Sequence, residues 1–432
     1  PHLANLLTLA MLLSVAPPAM AEDEDWPRWR GVRGDGTWHA PPLAERFPEG
    51  GPAVRWRQEI GAGYAGVTVS DGRVYLMDRQ IDPDIERIRC FDAETGEAIW
   101  THTYAADYGD LTYDSGPRAS VTLHDGRAYT LGAVGHIHCL DATTGEVLWA
   151  YDAPADFEAE RPNWGFAASP VIYHDLVIYH IAADPGGSVV AFDRKTGDVV
   201  WRAGDDEAGY ATPIFIERDG EDFIVLWSPQ HVMMISPASG EIRWRFAYPI
   251  RYGVAIATPI YHQDTILVSS FWHGTRALKL GEKPEDFSLR WEDEHQMRAL
   301  MAQPLYRDGY AYLLDRQFGL TCFDFVTGEK IWDDANAMTP RGRNPQATMV
   351  WLNDEDRAIV LNSDGQLILA RFNPEGYEEL DRATVVGETW AHPAYVGRYA
   401  YIRDDEQLVC IELPLAADAA SPNQPMNKGD QK

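Results

Sequence analysis

Apolar and polar residues alternate along most of the chain in short paired runs. The stretches ASVTLHDGRAYTLG (119–132) and AQPLYRDGYAYLLD (302–315) each hold two such runs around a short turn with Asp and Gly. This pattern, rich in β-branched and aromatic residues, predicts two antiparallel strands joined by a tight turn. It recurs, with a more divergent first copy, at 65–78, 119–132, 168–181, 211–227, 257–271, 302–315, 347–362 and 391–404.

A second pattern follows several of these hairpins and predicts two further strands. It reads FDAETGEAIW at 91–100 and returns as LDATTGEVLW (140–149), FDRKTGDVVW (192–201) and FDFVTGEKIW (323–332). The third strand ends at the Asp, whose carboxylate can accept backbone N–H groups, and Gly supplies the left-handed conformation that closes the turn. The Trp falls on a fourth strand, where burial against the next unit is worth about 2–3 kcal/mol. Each unit is therefore predicted to be a four-stranded antiparallel sheet.

The spacing of the units predicts how they assemble. Fourth-strand tryptophans occur at 100, 149, 201, 244, 291 and 332, between 41 and 52 residues apart. The last unit ends at LVCIELP (408–414) without a fourth strand, whereas AVRWRQEI (53–60) reads as a fourth strand that no others precede. We expect this N-terminal strand to close the last sheet, because closure removes exposed edges. Eight such units predict an all-β fold, an eight-bladed β-propeller of four-stranded blades over 53–412.

Three segments lie outside the repeats. Residues 1–21 contain LLTLAMLLSVAPPAMA and end in a small-x-small pattern, which is typical of a signal peptide, here expected to be truncated at its start. No lipobox cysteine follows, so we expect a periplasmic or secreted protein without a transmembrane segment. The arm at 22–52, rich in Pro, Gly and Trp, is expected to lie irregularly on the propeller. The segment 413–432 has the composition of a disordered tail.

Charge narrows the range of partners. The net charge is −29, from 37 Lys and Arg against 66 Asp and Glu. Such a field repels nucleic acids and anionic lipid surfaces. Because the acidic residues are spread along the chain, they are typical of a solvated surface, and an acidic surface for a cationic partner is the alternative. We expect a monomer.

The four cysteines occupy one equivalent position in different units. Cys90, Cys139, Cys322 and Cys410 occur in the contexts RCFD, HCLD, TCFD and VCIE. Equivalent positions on radiating sheets lie farther apart than the ~7 Å Cα separation that a disulfide allows. We predict four buried free thiols, with a disulfide framework as the alternative in an oxidising compartment.

The repeat A/C-x-D-x-x-T-G-x-x-x-W resembles that of the pyrroloquinoline-quinone-like (PQQ-like) β-propellers over about 53–412. The stretch DWPRWRG (25–31) is similar to the lead-in of exported members. The resemblance implies one of two functions. Quinoprotein dehydrogenases hold the quinone and a calcium ion on the propeller axis, whereas the scaffold of the outer-membrane β-barrel assembly machinery is a non-catalytic lipoprotein.

The sequence departs from the dehydrogenase pattern. The resemblance to alcohol-dehydrogenase quinoproteins implies an adjacent Cys-Cys pair, convergent oxygen ligands for calcium and an Asp base. No two cysteines are adjacent, and most Asp residues are turn residues, so no cofactor, metal ligand or catalytic residue can be assigned. We therefore expect an exported, non-catalytic binding or scaffolding module for a protein, small-molecule or carbohydrate ligand. The alternatives are a PQQ- and calcium-dependent dehydrogenase of alcohols or sugars, and a carbohydrate or polyanion binder.

A ligand site is expected where the residues just before each first strand converge on the central funnel. These approaches are enriched in aromatic and arginine side chains, namely Tyr64, Arg118, Trp164, Tyr210, Tyr252, Arg298, Arg343, Trp390 and His392. Such groups suit an anionic or planar ligand, for example a carboxylate-bearing quinone, a peptide carboxylate or an acidic glycan. The alternative is that they plug the channel and pair with carboxylates of neighbouring blades. His136 and His138, on one face of a mid-blade strand, are only a weak indication of a metal.

Overall fold

Thirty-three strands form eight sheets in the computed structural model, which describes residues 24–419. Seven sheets contain four strands and one contains five. Within each sheet, strands that follow one another in the chain pair with each other, so that every sheet is one blade of a ring. The predicted eight-bladed β-propeller is confirmed. The predicted signal peptide (1–21) and residues 420–432 of the predicted tail lie outside the described residues.

The strands follow the repeats predicted from the sequence. Two of them precede blade 1 in the chain: β1 (Thr37–Trp38) and β2 (Ala53–Glu59). Blade 1 contains β3 (Thr68–Ser70), β4 (Arg73–Gln80), β5 (Ile85–Asp92) and β6 (Ala98–Ala105). Blade 2 contains β7 (Thr122–His124), β8 (Arg127–Leu131), β9 (His136–Asp141) and β10 (Val147–Asp152). Blade 3 contains β11 (Val171–Tyr173), β12 (Leu176–Ala183), β13 (Gly187–Asp193) and β14 (Val199–Ala203). Blade 4 contains β15 (Ile214–Arg218), β16 (Glu221–Trp227), β17 (His231–Ile235) and β18 (Ile242–Ala247).

The second half of the ring repeats this arrangement. Blade 5 contains β19 (Ile260–His262), β20 (Thr265–Ser270), β21 (Gly274–Leu280) and β22 (Phe287–Asp293). Blade 6 contains β23 (Leu305–Arg307), β24 (Tyr310–Asp315), β25 (Gly319–Asp324) and β26 (Lys330–Asp333). Blade 7 contains β27 (Ala347–Leu352), β28 (Arg357–Asn362), β29 (Gln366–Asn373) and β30 (Gly376–Thr384). Blade 8 contains β31 (Ala394–Val396), β32 (Tyr399–Arg403), β33 (Gln407–Glu412) and, as its outer strand, β2. Short helices occur at α1 (Ala153–Phe157) and α2 (Ala416–Ala419), with a 3-10 turn at Arg251–Gly253.

The N-terminal strand closes the ring. Strand β2 pairs antiparallel with β33, and Trp56 lies opposite Cys410. Blade 8 is therefore built from both ends of the propeller, as the sequence predicts. All four cysteines are free and buried in separate blades, which confirms their prediction as small apolar core residues.

The Asp-Thr-Gly turns make the predicted hydrogen bonds. In blade 2, Oδ1 of Asp141 accepts the backbone N–H groups of Thr143 and Thr144, both at 2.9 Å, and Gly145 N–H donates to the Asp141 carbonyl oxygen. The same set occurs at Asp92, Asp193 and Asp324. All of these hydrogen bonds join residues at most four positions apart, so the sequence motif itself contains every donor and acceptor of the turn.

Five fourth-strand tryptophans pack on the turn glycine of the next blade. The Trp100 Nε1 donates to the carbonyl oxygen of Ala142 at 3.0 Å. Gly145 has a φ of +74°, and a Cβ added there would lie 2.6 Å from the Trp100 ring. The same pairs are Trp56 with Gly96, Trp149 with Gly197, Trp201 with Gly240 and Trp291 with Gly328. Glycine is thus required for two reasons: the turn needs its positive φ, and the indole ring leaves no space for a Cβ.

The junction between blades 4 and 5 departs from this arrangement. Trp244 packs against Phe287, with ring centroids 4.5 Å apart and the ring planes tilted by 30°. Its buried Nε1 has no hydrogen-bond acceptor in the described part of the chain. The sequence KLGEKPEDF replaces the Asp-Thr-Gly turn in blade 5, so the carbonyl that would accept this bond is missing.

The arm from residue 24 to β2 runs across one end of the ring. Trp26 forms a bridge to Val69 of blade 1, and β1 adds to blade 7 as a parallel fifth strand. Between them, Trp29 reaches the axis: its Nε1 donates to Thr258 Oγ1 of blade 5, and its ring contacts His392 before blade 8. The arm therefore closes the channel at this end.

The first residues of the predicted tail pack on the arm. Leu413 is buried, Leu415 bridges to Leu43, and the Pro414 carbonyl oxygen accepts the N–H of Ala44. Composition alone gives no indication of this contact, because it depends on where the arm happens to run.

Candidate functional site

The two ends of the ring are made from different connections. Since strands alternate in direction, the turns between first and second strands and between third and fourth strands lie at one end, called the turn end below. The approaches, which join one blade to the next, and the turns between second and third strands lie at the other end, called the loop end. All nine predicted site residues belong to approaches.

Buried carboxylates of the second strands fix several approaches. Oδ2 of Asp78 in β4 accepts the N–H of Gly61 at 2.8 Å and also contacts Arg87. Oδ2 of Asp315 in β24 accepts the N–H of Arg298 at 2.9 Å. Because the acceptors are buried, charged carboxylates, these hydrogen bonds are strong and hold the backbone of the approaches in place.

Three predicted residues come together at the funnel before blades 8, 1 and 2. Tyr64 stacks on Trp390 with ring centroids 5.5 Å apart, and the guanidinium of Arg118 lies 5.4 Å from the Tyr64 ring. Tyr113, which sequence reasoning missed, packs against Trp390 at 5.7 Å. Its hydroxyl accepts a hydrogen bond from Nδ2 of Asn344, which precedes blade 7. The aromatic groups thus span the mouth of the funnel, and Arg118 donates to backbone carbonyls there.

Trp164 and Tyr210 form a second aromatic pair, before blades 3 and 4. Their ring centroids lie 5.9 Å apart, and the N–H of Trp164 donates to the Tyr210 hydroxyl at 3.3 Å. Burial raises the pKa of Tyr210 to about 12, and burial lowers the pKa of Arg118 near it. Tyr210 is therefore neutral at pH 7.

Arg298 and His392 are buried and engaged inside the protein. Arg298 pairs with Asp315 and donates to Gln317. The ring of His392 lies 4.0 Å from that of Trp29, and burial together with Arg30 lowers the pKa of His392 to about 3. His392 is therefore neutral and covered by the arm at the turn end, away from the funnel mouth.

Tyr252 and Arg343 belong to a group that the sequence indicates only in part. The group, called the arginine patch below, consists of Arg251, Tyr252, Phe271, Trp272, Arg316, Arg341 and Arg343. The guanidinium of Arg251 lies 4.7 Å from the Tyr252 ring and 5.4 Å from the Trp272 ring. Arg316 lies 4.8 Å from the Phe271 ring and 5.3 Å from the Trp272 ring. The patch thus alternates cations with aromatic faces.

A cavity of about 290 Å³ opens beside these rings. Its lining includes Arg316, Arg341 and Arg343 together with Phe271, and it contains no acidic residue. Exposed aromatic side chains also gather at the loop end: 52% of Tyr252, 41% of Trp272 and 41% of Tyr113 is accessible to solvent.

The arginines of the patch are unpaired. Within residues 24–419, none of the four forms an ion pair with a carboxylate, whereas the nearby Arg276 pairs with both Glu292 and Glu294. In the same part of the chain, other exposed arginines, such as Arg46 and Arg202, also form no ion pair, but the patch differs because four such arginines lie close together beside a cavity without acidic residues. The patch is a local positive region on an acidic surface.

Sequence reasoning missed three residues of the patch because of where they lie, and it did not single out Arg251 and Arg341 within the approaches. It considered only the approaches, while Phe271, Trp272 and Arg316 lie in turns between second and third strands. The alternating strand direction places those turns at the same end, so the stretches SSFWHG (269–274) and LDRQFG (314–319) could have been included.

The two histidines noted in the sequence lie between blades 1 and 2. His138 is 5.0 Å from His102 and 6.5 Å from His136 between ring centroids, and Tyr104 packs against His138. Burial lowers the pKa of His138 to about 3, so the ring is neutral at pH 7. Across the described ranges, these side chains do not form a group that could hold a metal.

Within residues 24–419, the side chains at the axis do not form a recognisable calcium site. Calcium takes six to eight oxygen ligands, but within residues 24–419 no three His, Cys, Asp or Glu side chains are arranged to hold a metal ion. The cysteines, which an alcohol-dehydrogenase type would place side by side, lie in β5, β9, β25 and β33. No redox step is therefore assigned to any residue of the funnel.

Fold and repeat together define a PQQ-like β-propeller. The chain belongs to the family described as outer membrane protein assembly factor BamB, whose family model matches residues 84–283 and 228–413. A comparison with curated proteins finds no significant match.

Solved structures with the same fold include an assembly-factor protein and dehydrogenases. BamB from Moraxella catarrhalis is 15% identical, with a TM-score of 0.57, 83% of this chain and 98% of that chain being covered. A europium-containing methanol dehydrogenase is 12% identical, with a TM-score of 0.66 and coverage of 90% and 89%. Quinohemoprotein alcohol dehydrogenase ADHIIG from Pseudomonas putida HK5 is 12% identical, with a TM-score of 0.63 and coverage of 94% and 82%. At these identities the likeness establishes the fold alone.

No helix between residues 24 and 419 is long and apolar enough to cross a membrane.

Proposed function

We propose that the protein is a non-catalytic binding module of the cell envelope, and that it holds an acidic segment of a partner polypeptide at the arginine patch. The observation that carries this proposal is the set of unpaired arginines around exposed Tyr252 and Trp272. Arginine, tryptophan and tyrosine are the residues most enriched among those that dominate binding energy at protein interfaces.

Charge favours an acidic partner. An unpaired guanidinium on an acidic protein can form a bidentate bond to a carboxylate that arrives from elsewhere. The acidic net charge repels an acidic peptide over much of the surface, whereas the four arginines of the patch attract it. The partner segment is therefore expected to be short, with the remainder of its chain directed away from the ring.

The aromatic rings favour a segment that also contains apolar side chains. Trp272 stands between Arg251 and Arg316, and the cavity beside Phe271 is lined by three arginines. A carboxylate directed into this cavity and an apolar side chain on the Trp272 ring would use both features. Such pairing of a buried anchor with surrounding polar contacts is usual at protein interfaces.

Two further features support a binding role in the envelope. The family description names an assembly factor of the outer membrane, and the apolar run in residues 1–21 is typical of a signal peptide. A fusion of this segment to alkaline phosphatase tests export, since the reporter is active only outside the cytoplasm. Activity equal to that of a reporter without the segment would contradict it.

Selection from a random peptide library tests the proposed partner chemistry. The immobilised protein is expected to enrich peptides in which Asp or Glu neighbours an aromatic or aliphatic residue. The double variant Arg316→Glu/Arg343→Glu is expected to weaken the selected peptides at least about tenfold, because charged hydrogen bonds contribute roughly 1.5–3 kcal/mol each. The matched control is Arg46→Glu/Arg202→Glu, which changes net charge equally at exposed arginines outside the patch.

Two outcomes would contradict the proposal. Selected peptides without acidic enrichment would remove the charge argument, and equal losses in both double variants would show a non-specific field. Retention of acidic glycans by the wild type but not by Arg316→Glu/Arg343→Glu, without peptide binding, would favour the carbohydrate or polyanion alternative.

A further inference from the structure

A second cavity lies at the turn end of the channel, between the arm and the inner strands of blades 3 to 6. Its volume is about 300 Å³, near the lower end of the ~300–1,000 Å³ that ligand pockets span. The arm forms one wall with residues 28–37, and β11, β15, β19 and β23 with the residues before them form the other. The cavity therefore exists only because the arm crosses the ring.

The wall formed by the arm is cationic. Arg30 is 6% exposed and donates to the carbonyl oxygens of Asp35 and Pro304, and Arg28 donates to the Val32 carbonyl oxygen. In the described part of the chain neither guanidinium forms an ion pair. Burial lowers the pKa of Arg28, and it lowers the pKa of Arg30 to about 10, so Arg30 remains charged at neutral pH. A guanidinium group is not deprotonated in proteins, so Arg28 is charged as well.

The charges around this cavity leave one positive charge unbalanced. Arg33, the third arginine of the wall, pairs with Glu24 and lies 3.6 Å from Asp35. Three guanidinium groups thus face two carboxylates. Burial lowers the pKa of His262, so its ring adds no charge at neutral pH. A buried charge without a partner is costly, and a single negative charge in the cavity would offset it.

The opposite wall is apolar and flat. Ile214, Phe215 and Ile260 line it, and the rings of His262 and Tyr306 stack with centroids 3.8 Å apart. These surfaces suit a planar apolar body, while the hydroxyls of Thr212 and Thr258 are the polar groups on this side.

We propose that this cavity, called the arm pocket, binds a small aromatic monocarboxylate, with the carboxylate toward Arg28 and Arg30 and the ring against Ile214 and Ile260. The single negative charge of a carboxylate, held by a guanidinium group, balances the one unpaired positive charge. The two negative charges of a phosphate dianion would exceed that positive charge. The site lies at the end of the ring opposite to the arginine patch, and it does not depend on the proposed peptide binding.

Calorimetric titration of the full chain with 2-naphthoate, against its neutral counterpart 2-naphthamide, tests the proposal. We expect one site per chain for the acid and at least tenfold weaker binding of the amide. Arg28→Gln is expected to weaken 2-naphthoate binding at least tenfold. Arg46→Gln, which removes an exposed arginine of the same arm, is the matched control and is expected to leave binding unchanged.

A second variant separates loss of the site from loss of the fold. Ile260→Trp fills the arm pocket while leaving every charge in place, and it is expected to abolish binding of 2-naphthoate with an unchanged circular dichroism spectrum. Equal affinity for acid and amide would overturn the proposal. So would wild-type affinity in both Arg28→Gln and Ile260→Trp, or no saturable binding of 2-naphthoate by the wild type.

Discussion

The turn end and the loop end of the ring differ in how they are built. Four turns at the turn end, at Asp92, Asp141, Asp193 and Asp324, repeat the same hydrogen bonds to the backbone. The approaches at the loop end differ in length and sequence, as a comparison of 60–67 before blade 1 with 106–121 before blade 2 shows. The two ends nevertheless belong to the same eight sheets.

This difference separates stability from recognition. At the turn end, the tryptophan of one blade covers the glycine turn of the next blade and so joins the two blades. Because every blade of a ring has a neighbour, this contact recurs around the ring. Nothing in the ring requires Trp272 to be exposed or Arg343 to be unpaired. Binding residues are frequently placed on loops held by a rigid scaffold, and substitutions at the two ends should therefore affect different properties.

The largest effect on stability is expected from Gly145→Ala at the turn end. The backbone has a φ of +74° there, and the new Cβ would lie 2.6 Å from the Trp100 ring. Left-handed strain and overpacking each cost about 1–3 kcal/mol, so we expect a loss of roughly 3 kcal/mol in the free energy of unfolding. Urea denaturation of the purified protein measures it.

Two glycines provide graded controls for Gly145. Gly72 has a φ of +69° with no atom within 4 Å of an added Cβ, so Gly72→Ala retains only the strain, about 1 kcal/mol. At the loop end, Gly342 lacks the positive φ, and a Cβ would meet only the Asn344 N at 3.9 Å. Gly342→Ala is expected to change stability by less than about 0.5 kcal/mol. Equal losses at Gly145 and Gly72 would refute the contact with Trp100.

Acid should weaken the junction between blades 1 and 2. The pKa of His138 is about 3 in the folded protein, below the ordinary value of 6.5, because the ring is buried against His102, His136 and Tyr104. The unfolded chain therefore takes up the proton first, and stability falls as pH decreases from about 6.5 toward 3. The contribution of His138 between pH 7 and 5 is on the order of 2 kcal/mol.

Substitution isolates this contribution. His138→Gln is expected to reduce the dependence of the unfolding free energy on pH, because the titrating ring is gone. The control is His295→Gln, an exposed histidine in the approach before blade 6, which should leave the dependence unchanged. An identical pH dependence in wild type and His138→Gln would contradict the burial argument.

A smaller difference is expected between two tryptophans of the outer strands. Trp100 donates to the Ala142 carbonyl oxygen, whereas the buried Nε1 of Trp244 has no acceptor among the described residues. Trp100→Phe therefore loses a hydrogen bond that Trp244→Phe never had. We expect Trp100→Phe to cost about 1 kcal/mol more, since a typical bond contributes ~0.5–1.5 kcal/mol. A larger loss at Trp244 in urea denaturation would contradict this reasoning.

The parts predicted from sequence are those with local causes. The turn at Asp141 is specified by neighbouring residues, and the tryptophan at 100 is recognised because other units have one at the equivalent position. The repeat alone therefore predicts the blades and the closure of the ring by the strand with Trp56. The stacking of Tyr64 on Trp390 agrees with the reasoning that approaches meet at the axis. The same reasoning does not place His392 correctly, because Trp29 of the arm covers its ring.

The path of the arm could not be predicted for a physical reason. Its contacts, such as Trp29 with Thr258, join residues far apart in sequence, and no periodic pattern encodes them. For the same reason, the sequence does not show which arginines form ion pairs. Arg298 and Arg343 look equivalent in the sequence, yet Asp315 neutralises the first and no carboxylate in the described part of the chain pairs with the second.

The smallest effect on stability is expected where the proposed effect on binding is largest. Arg343→Gln removes an exposed charge without an ion pair and should change the free energy of unfolding by less than about 0.5 kcal/mol. Arg316→Gln also loses its contacts with the Phe271 and Trp272 rings, worth about 0.5–1 kcal/mol at exposed sites. Both variants are expected to weaken acidic peptides selected by the wild type, measured by fluorescence anisotropy. If the loss of peptide affinity in each variant only followed its loss of stability, the loop end would have a structural role like that of the turn end. The separation of stability and recognition between the two ends would then be wrong.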